Sequence, residues 1–332
     1  MATIALTLEE IEELSREVLH FNGCDDLNTD ALVRTIVTAE RDGSASHGLF
    51  RLPGYVASLR SGKVNGKARP SVDNKLKAVV KVHGDNGYAP IAIETGVPVL
   101  AAAAKLLGVA VMTMTNTYHF AALWPEVEAL AEEGLIGLAC VCTQPFVAPA
   151  GGTEALFGTN PIAFAWPRPG KMPVVVDMAT AAMAHGEIQV AAREGEVVPT
   201  GTGLDAQGRE TTDPGEILKG VLLPFGGYKG SAIALMVELL AAGAVGDCFS
   251  FEGEALDNGD GGPTVGGEFM LAISPELLVG SDWAEHCELF LERYEAIEGA
   301  RLPGLRRHNN RQSTAPRQIN ADLVERIRSL NT

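Results

Sequence analysis

Residues 77–84 read KAVVKVHG, residues 97–108 read VPVLAAAAKLLG and residues 108–114 read GVAVMTM. The outer two are short and rich in valine; the middle one is a longer run of Ala and Leu. Branched residues suit a pleated surface and Ala and Leu suit a helix, so the expected order is strand, helix, strand. The apolar run Val97 to Met114 is broken by Pro98, Lys105 and Gly108, which argues for a buried helix followed by a strand, not a membrane span.

The same alternation continues downstream. TNTYHFAALWPEVEALAEEGLIGLACVCT (115–143) reads as a loop, a helix carrying Leu123, Val127, Leu130 and Ala131, and a buried strand ending at Thr143. Strands are expected at PIAFAW and PVVVDMAT, a turn-rich hairpin at 195–215, and a Gly-opened buried helix at GYKGSAIALMVELLAAGAVG. The glycine-rich stretch 252–267 reads as a mobile loop, Phe269 to Ile273 as a strand, Trp283 to Ala296 as a helix, and the tail from Gln318 as a short amphipathic helix. Upstream, Thr7 and Glu10 form a capping box for a helix whose apolar face is Leu8, Ile11, Leu14, Val18 and Leu19. A second helix is expected from Thr29 to Asp42, and SASHGLFRLPGYVASLRSG (44–62) as a polar turn opening onto a third. Interleaved helices and strands imply α/β layers.

The chain has 332 residues, 26 basic and 42 acidic, for a net charge of -16; 46% are hydrophobic and 20% charged. That is too apolar for a disordered protein, and so acidic a surface repels phosphate backbones and anionic lipids, so neither a nucleic-acid nor a membrane partner is expected. The length suits two domains or one elaborate one. Five cysteines, Cys24, Cys140, Cys142, Cys248 and Cys287, are an odd, sparse set that fits a reducing compartment, so a cytoplasmic location is expected. Cys140 and Cys142 would share one strand face without a His/Cys cluster, so core packing is expected rather than zinc. The N-terminal MATIALTLEEIEELSREV lacks a basic start and a continuous apolar core, and is not read as a signal peptide.

GxGxxG after a strand, GxxxxGK[ST], HExxH and GxSxG are all missing, so neither an ordinary Rossmann fingerprint nor a P-loop is supported. Four clusters remain. Ser46-His47-Gly48 precedes Arg51; on a helix His47 and Arg51 would share a face, with Ser46 where an N-cap sits. Such a pair suits a small acid, Arg51 clamping its carboxylate and His47 moving a proton; it also suits a capped helix with solvated side chains. Ala184-His185-Gly186-Glu187 follows a strand end, where Glu187 would orient His47 or make an ordinary loop ion pair. Gly226-Gly227-Tyr228-Lys229-Gly230-Ser231 opens a long apolar helix, either as a phosphate site or for tight packing. Arg301 to His308 is a basic run, either a second phosphate site or a solvated loop. His83, in VHGDNG, reads as a structural turn residue, and His119 precedes a helix, where its backbone would face a cofactor.

Taken in order, SHGLFRLPGYV, HFAALW, LFGTNPIAF, VVDMATA, GYKGS and RLPGLRR resemble the malate/L-lactate dehydrogenase family that is distinct from the Rossmann lactate dehydrogenases, over about residues 8 to 315. HFAALW, AHGEIQVAAR and GYKGSAIALMVELLAAG resemble its imine-reducing branch. The resemblance implies a three-layer α/β/α fold around a mixed sheet, a non-Rossmann nicotinamide-binding fold like that of sulfolactate dehydrogenase. It implies an N-terminal substrate and dimerisation domain (1–115), an NAD(P)H-binding domain (116–290), a C-terminal segment (291–332) returning to the first, and a homodimer. The implied activity is NADPH-dependent reduction of Δ1-piperideine-2-carboxylate to L-pipecolate and Δ1-pyrroline-2-carboxylate to L-proline in catabolism of D-lysine, D-proline or related amino acids, with NADH as a possible cofactor. The alternative is a 2-hydroxy acid dehydrogenase acting on a 2-keto acid. No metal is implied. Carried over by motif, Ser46, His47 and Glu187 are catalytic, and Arg51, Thr159, His185 and Gly186 bind substrate. The cofactor would meet His119, Phe120, Ala121, Ala122, Leu123, Asp177, Met178, Ala179, Lys229, Gly230, Arg301, Leu302, Pro303, Gly304, Leu305, Arg306 and Arg307. The branch has Asp where this chain has Glu187, which keeps the carboxylate but displaces it by one methylene.

Overall fold

A computed structural model describes residues 2–331. After strand β1 (Thr3–Leu6), the hydroxyl of Thr7 accepts the N–H of Glu10 and the Glu10 carboxylate accepts that of Thr7, so helix α1 spans Leu8–Phe21. Helix α2 (Asp26–Arg41) starts three residues before its expected position, because Asp25 caps it by accepting from Asn28 N. Residues 44–51 follow as two single 3₁₀ turns, and helix α3 is Leu52–Arg60.

The segment 77–114 forms β3 (Val79–Tyr88), α4 (Ala89–Leu107) and β4 (Val109–Tyr118), preceded by the short β2 (Ser71–Asp73). A long crossover helix returns the chain to the end of the sheet where β3 began, so β3 and β4 are parallel. Helix α4 has the length and apolarity of a membrane span, but it packs on β3 and β4. His83, expected in a turn, lies in β3, its Nε2 2.7 Å from the Asn116 amide nitrogen.

Next come α5 (Trp124–Glu132), β5 (Ile136–Val141), β6 (Ile162–Trp166), β7 (Val174–Met178) and α6 (His185–Glu194). A small sheet of β8 (Gly203–Leu204), β9 (Glu210–Thr211) and β10 (Val221–Leu222), with α7 (Pro214–Ile217), occupies the expected hairpin region and the residues just beyond it. Helix α8 (Tyr228–Glu238) widens into a π turn over Leu239–Ala244 and is followed by α9 (Ser250–Ala255). The expected loop 252–267 is irregular only between α9 and β11 (Val265–Ile273). Then follow α10 (Pro275–Val279), α11 (Trp283–Glu295), α12 (Leu305–Arg311), β12 (Arg317–Asn320) and α13 (Ala321–Arg328). Gln318 therefore sits in a strand, paired with Ala5 of β1, rather than in the expected terminal helix.

The main sheet runs β2-β3-β4-β11-β5-β6-β7, antiparallel everywhere except β3 with β4. Helices α4 and α5 cover one face through Leu100, Ala104, Val127 and Leu130; Val237, Ala241 and Ala242 cover the other through Cys140 and Cys142. The layers are therefore α/β/α around a mixed sheet. Both cysteines are core residues with unpaired thiols, and burial pushes the Cys140 thiol up to about 12. A second core joins α1–α3 to Ile319, Val324 and Ile327, so the C-terminal segment lies on the N-terminal helices. The divisions expected at 115/116 and 290/291 fall inside β4 and α11: one hydrogen-bonded sheet runs across the first, and one continuous helix across the second. The Gly-opened helix is buried on one side only; Tyr228, Leu235, Met236 and Leu239 are exposed.

Candidate active site

His47 and Arg51 do not share a helical face. Gly48, at φ -94° and ψ -132°, separates the 3₁₀ turn Ala45–His47 from the turn Leu49–Arg51. The pair still meets one space, a cleft of about 1640 Å³ that both residues line. What fixes these turns is Glu40 at the end of α2: its buried carboxylate accepts the N–H of Leu49 at 2.8 Å. A Cβ on residue 48 would stand 2.1 Å from the same oxygen, so only glycine lets the carboxylate reach in. Burial pushes the Glu40 carboxyl up to about 7. Glu40→Ala, which leaves Leu49 N–H unsatisfied, is expected to lower kcat/KM about tenfold through displacement of His47 and Arg51. Glu40→Gln keeps an acceptor oxygen and should restore most of the rate, as steady-state kinetics on the two variants would show.

Ser46 is not an N-cap; its Oγ lies 3.0 Å from His47 Nδ1, inside the first turn. Burial, and then the charge of Arg51, push the His47 imidazole down to about 3, so it is neutral at physiological pH. The Arg51 guanidinium lies 4.2 Å over the Phe120 ring, and its buried Nε has no partner. No carboxylate pairs with Arg51 among the described residues, and burial pulls its pKa down to about 10. A desolvated, uncompensated cation is set to take an anionic group bidentately.

Helix α6 brings His185 and Gly186 to the same space. The His185 ring stacks on Phe146 at 3.7 Å, and burial, then Arg51, push it down to about 4. Thr159 lines the cleft, with its Oγ1 3.3 Å from that of Thr143. Glu187, in the first turn of α6, lies at the cleft edge, but its side chain is exposed and makes no hydrogen bond or ion pair with His47. The partner the structure gives the His47 ring is Ser46 Oγ, and Glu187 makes no bond to it among the described residues. Glu187→Gln is expected to keep kcat/KM within about threefold and leave the pH profile unmoved; a shifted alkaline limb would return the carboxylate to the relay.

The candidate cofactor residues divide. Phe120, Ala121, Ala122, Asp177, Met178, Ala179, Arg306 and Arg307 line the cleft with His119. Asp177 accepts the N–H of Trp124 at 3.0 Å, and Arg307 lies 5.3 Å over the Trp124 ring and donates to Val175 O. The buried Trp124 Nε1 and Arg307 Nε have no partner. Leu123 is fully buried behind the wall. Arg301, Leu302, Pro303, Gly304 and Leu305 do not line the cleft; Pro303 O accepts from Val175 N, so this stretch braces β7. Lys229 and Gly230 also lie outside it. Gly230 N–H is bonded to Phe225 O and Ser231 N–H to Gly227 O, so these donors are not free for a phosphate. A Cβ at Gly230 would meet Phe225 O at 2.2 Å, and tight packing explains the glycine. His308 is buried against Glu128 at 2.9 Å, away from the cleft.

Sequence reasoning missed three buried acids. Glu40 holds the turns that carry His47 and Arg51. Glu126 accepts from or donates to His119 Nε2 at 3.0 Å, and Glu268 lies 3.7 Å from the same nitrogen. Glu126 resembles an ordinary first-turn acid that complements a helix dipole. Glu268, an acid in the middle of the strand VGGEFMLAI, was the readable signal, since an apolar strand seldom carries one without a partner.

Comparison with known proteins defines the class. The chain belongs to the malate/L-lactate dehydrogenase family, which it matches over residues 6–328. Sulfolactate dehydrogenase from Methanocaldococcus jannaschii, 29% identical, superposes with a TM-score of 0.88 over 98% of this chain and 96% of that one. Within the family the similarity points to imine reductases. Δ1-Piperideine-2-carboxylate reductase from Pseudomonas syringae is 41% identical, with a TM-score of 0.93 over 99% of this chain and 100% of that one. Δ1-Pyrroline-2-carboxylate reductase from Ancylobacter novellus is 45% identical over 93% of this chain and 92% of its own. A Pseudomonas aeruginosa relative, 43% identical over 94% of each chain, is named for both substrates.

Proposed function

We infer that this chain is an oxidoreductase acting on C=N, which reduces Δ1-pyrroline-2-carboxylate to L-proline and Δ1-piperideine-2-carboxylate to L-pipecolate with a nicotinamide cofactor. The similarity to the reductases named above supports the substrates, and one observation ties them to this site: the uncompensated Arg51 beside His47. These substrates carry a carboxylate next to a ring C=N, so an anion held on Arg51 places the ring nitrogen where a proton is needed. Burial first, and then the charge of Arg51, depress His47, the proposed donor to the ring nitrogen; an anion on Arg51 offsets the second of these causes. Ser46 holds the other ring nitrogen of His47. Thr159, His185 and Gly186 border the substrate.

The unpartnered donors of Trp124 and Arg307, with Arg306 in an otherwise acidic chain, fit a nicotinamide dinucleotide along the β7 side of the cleft. When bound, that cofactor supplies the hydride. We propose NADPH over NADH, with Arg306 and Arg307 pairing its 2′-phosphate. Arg306→Ala should then raise the KM for NADPH about tenfold and leave that for NADH unchanged; equal efficiency of the wild type with both cofactors would refute the preference. A cytoplasmic homodimer, in the catabolism of D-lysine, D-proline or related amino acids, completes the proposal; the exposed Leu235, Met236 and Leu239 supply apolar surface for a second copy.

The family's match to malate and lactate dehydrogenases favours a second reading, oxidation of a 2-hydroxy acid, in which His47 serves a C–O group. Initial rates with NADPH on Δ1-piperideine-2-carboxylate, Δ1-pyrroline-2-carboxylate, pyruvate, oxaloacetate and oxalurate separate the two. The imino acids should dominate kcat/KM, and dominance of a keto acid would overturn the reading.

A further inference from the structure

Glu238, the last residue of α8, is 5% exposed and meets no lysine or arginine among the described residues. Donors from three other segments meet its two oxygens instead. Oε1 accepts from Asn160 Nδ2 at 2.8 Å and from the Ser250 hydroxyl; Oε2 accepts from Ser250 N–H at 3.1 Å and from the Cys142 thiol at 3.5 Å. Directly after Glu238 the helix widens into its π turn, a distortion that recurs beside functional sites. The same donors frame the segment Gly158-Thr159-Asn160. Gly158 N–H donates to Ser250 Oγ at 3.1 Å, Thr159 N–H to Thr143 Oγ1 at 2.9 Å, and Thr143 N–H to Asn160 Oδ1 at 3.4 Å. The Thr159 carbonyl accepts from the N–H and the hydroxyl of Thr180 at 2.8 and 3.0 Å. A Cβ on residue 158 would stand 2.3 Å from Thr143 Oγ1 and 2.6 Å from Asn160 Oδ1, so glycine is required there. Asn160 is fully buried at φ +38°, a left-handed backbone that a residue with a side chain keeps only where its surroundings hold it. Thr143 and Thr159 line the cleft, whereas Glu238, Asn160 and Ser250 do not.

We propose that Glu238 is a positioning residue for imine reduction: by holding Asn160 and Ser250 it fixes the segment 158–160 and presents the Thr159 hydroxyl to the substrate. The proposal rests on the imine-reductase reading and on Thr159 as a substrate contact within it. A carboxylate without a cation stays buried only where donors meet its lone pairs. Here those donors are the groups that set where Gly158 and Asn160 lie, so the acid and the segment fix one another. Displacing a contact group by about 1 Å costs up to roughly 10² in rate, which makes a residue outside the cleft matter to turnover.

Glu238→Gln replaces one acceptor oxygen by an amide nitrogen and sets donor against donor at Asn160 or at Ser250. It should raise the KM for Δ1-piperideine-2-carboxylate about tenfold and leave the Kd for NADPH within about twofold of wild type. Thr159→Val, which keeps the shape and removes the hydroxyl, should raise KM by a similar factor. Glu238→Gln added to Thr159→Val should raise it no more than about twofold further, because both act through one hydroxyl. Exchanging the groups, Asn160→Asp with Glu238→Gln, sets acceptor against donor again with the same buried charge, on a residue type that tolerates the left-handed backbone. That pair should return KM to within about threefold of wild type. Amide hydrogen exchange, read without substrate, should quicken at residues 158–160 in Glu238→Gln and slow again in the exchanged pair. If Glu238→Gln does not fold, Ser250→Ala, which removes only the acceptor of Gly158 N–H, carries the same expectations for KM, Kd and exchange. Unchanged KM in Glu238→Gln or in Thr159→Val overturns the proposal, as do effects that multiply in the double variant or an exchanged pair without recovery. A KM rise matched by an equal rise in the Kd for NADPH marks general loosening and overturns it too. Wild type that reduces neither imino acid overturns the imine-reductase reading instead, and hydrogen exchange then judges the hold of Glu238 on residues 158–160 by itself.

Discussion

Replacing Arg51 by alanine should raise the KM for either imino acid by roughly 30- to 1000-fold, with a much smaller change in kcat. The magnitude follows from removing one member of a desolvated charge pair, which costs about 2–4 kcal/mol. Arg51 is a strong case because no carboxylate among the described residues pairs with it: its Nε is orphaned and its guanidinium lies over the Phe120 ring. A substrate carboxylate is its natural partner, and the contact is made in ground and transition states alike, so the loss falls on KM. Arg51→Lys should recover little, since an ammonium offers neither the fork nor the stacking face. Steady-state kinetics with saturating NADPH checks this; an unchanged KM would remove Arg51 from the carboxylate site.

His47→Ala should reduce kcat about a hundredfold or more while leaving NADPH affinity within about twofold of wild type. The imidazole lines the cleft with Arg51, and its Nδ1 is committed to Ser46, which leaves Nε2 for substrate. Residual rate would come from hydride transfer to the small fraction of substrate protonated in solution, so it should rise as pH falls. A His47→Ala enzyme with near-normal kcat would transfer the proton-donor role elsewhere in the cleft.

Much of this architecture was legible in the sequence for identifiable reasons. The capping box at Thr7 and the apolar stripe after it fix α1, and the change of composition between residues 77 and 114 announces a strand, a helix and a strand, which the structure joins as a parallel pair around a crossover helix. SHG followed by Arg51 marked two residues that meet in one cleft but suggested the wrong geometry: helical spacing places His47 and Arg51 on one face, whereas Gly48 and Glu40 build two separate turns. Nothing local to residues 44–51 discloses that, because the decisive contact comes from the preceding helix. The basic run 301–308 shows the limit of charge patterns. Only Arg306 and Arg307 reach the cleft, while His308 turns inward to Glu128. Lys229-Gly230 fails for a related reason: a glycine before a helix reads alike whether it admits a phosphate or, as here, the carbonyl of Phe225. Glu126 and Glu268 are far apart in sequence and become a pair only when β11 inserts between β4 and β5.

Hydride is expected to reach the carbon of a ring C=N held on Arg51. The most direct measurement is to incubate the protein with Δ1-piperideine-2-carboxylate and NADPH deuterated at its transferable position, and to analyse the product by mass spectrometry and chiral chromatography. Reduction of the ring C=N should give L-pipecolate carrying one deuterium at the α-carbon. Unlabelled product, or no pipecolate while a 2-keto acid is reduced under the same conditions, would contradict it.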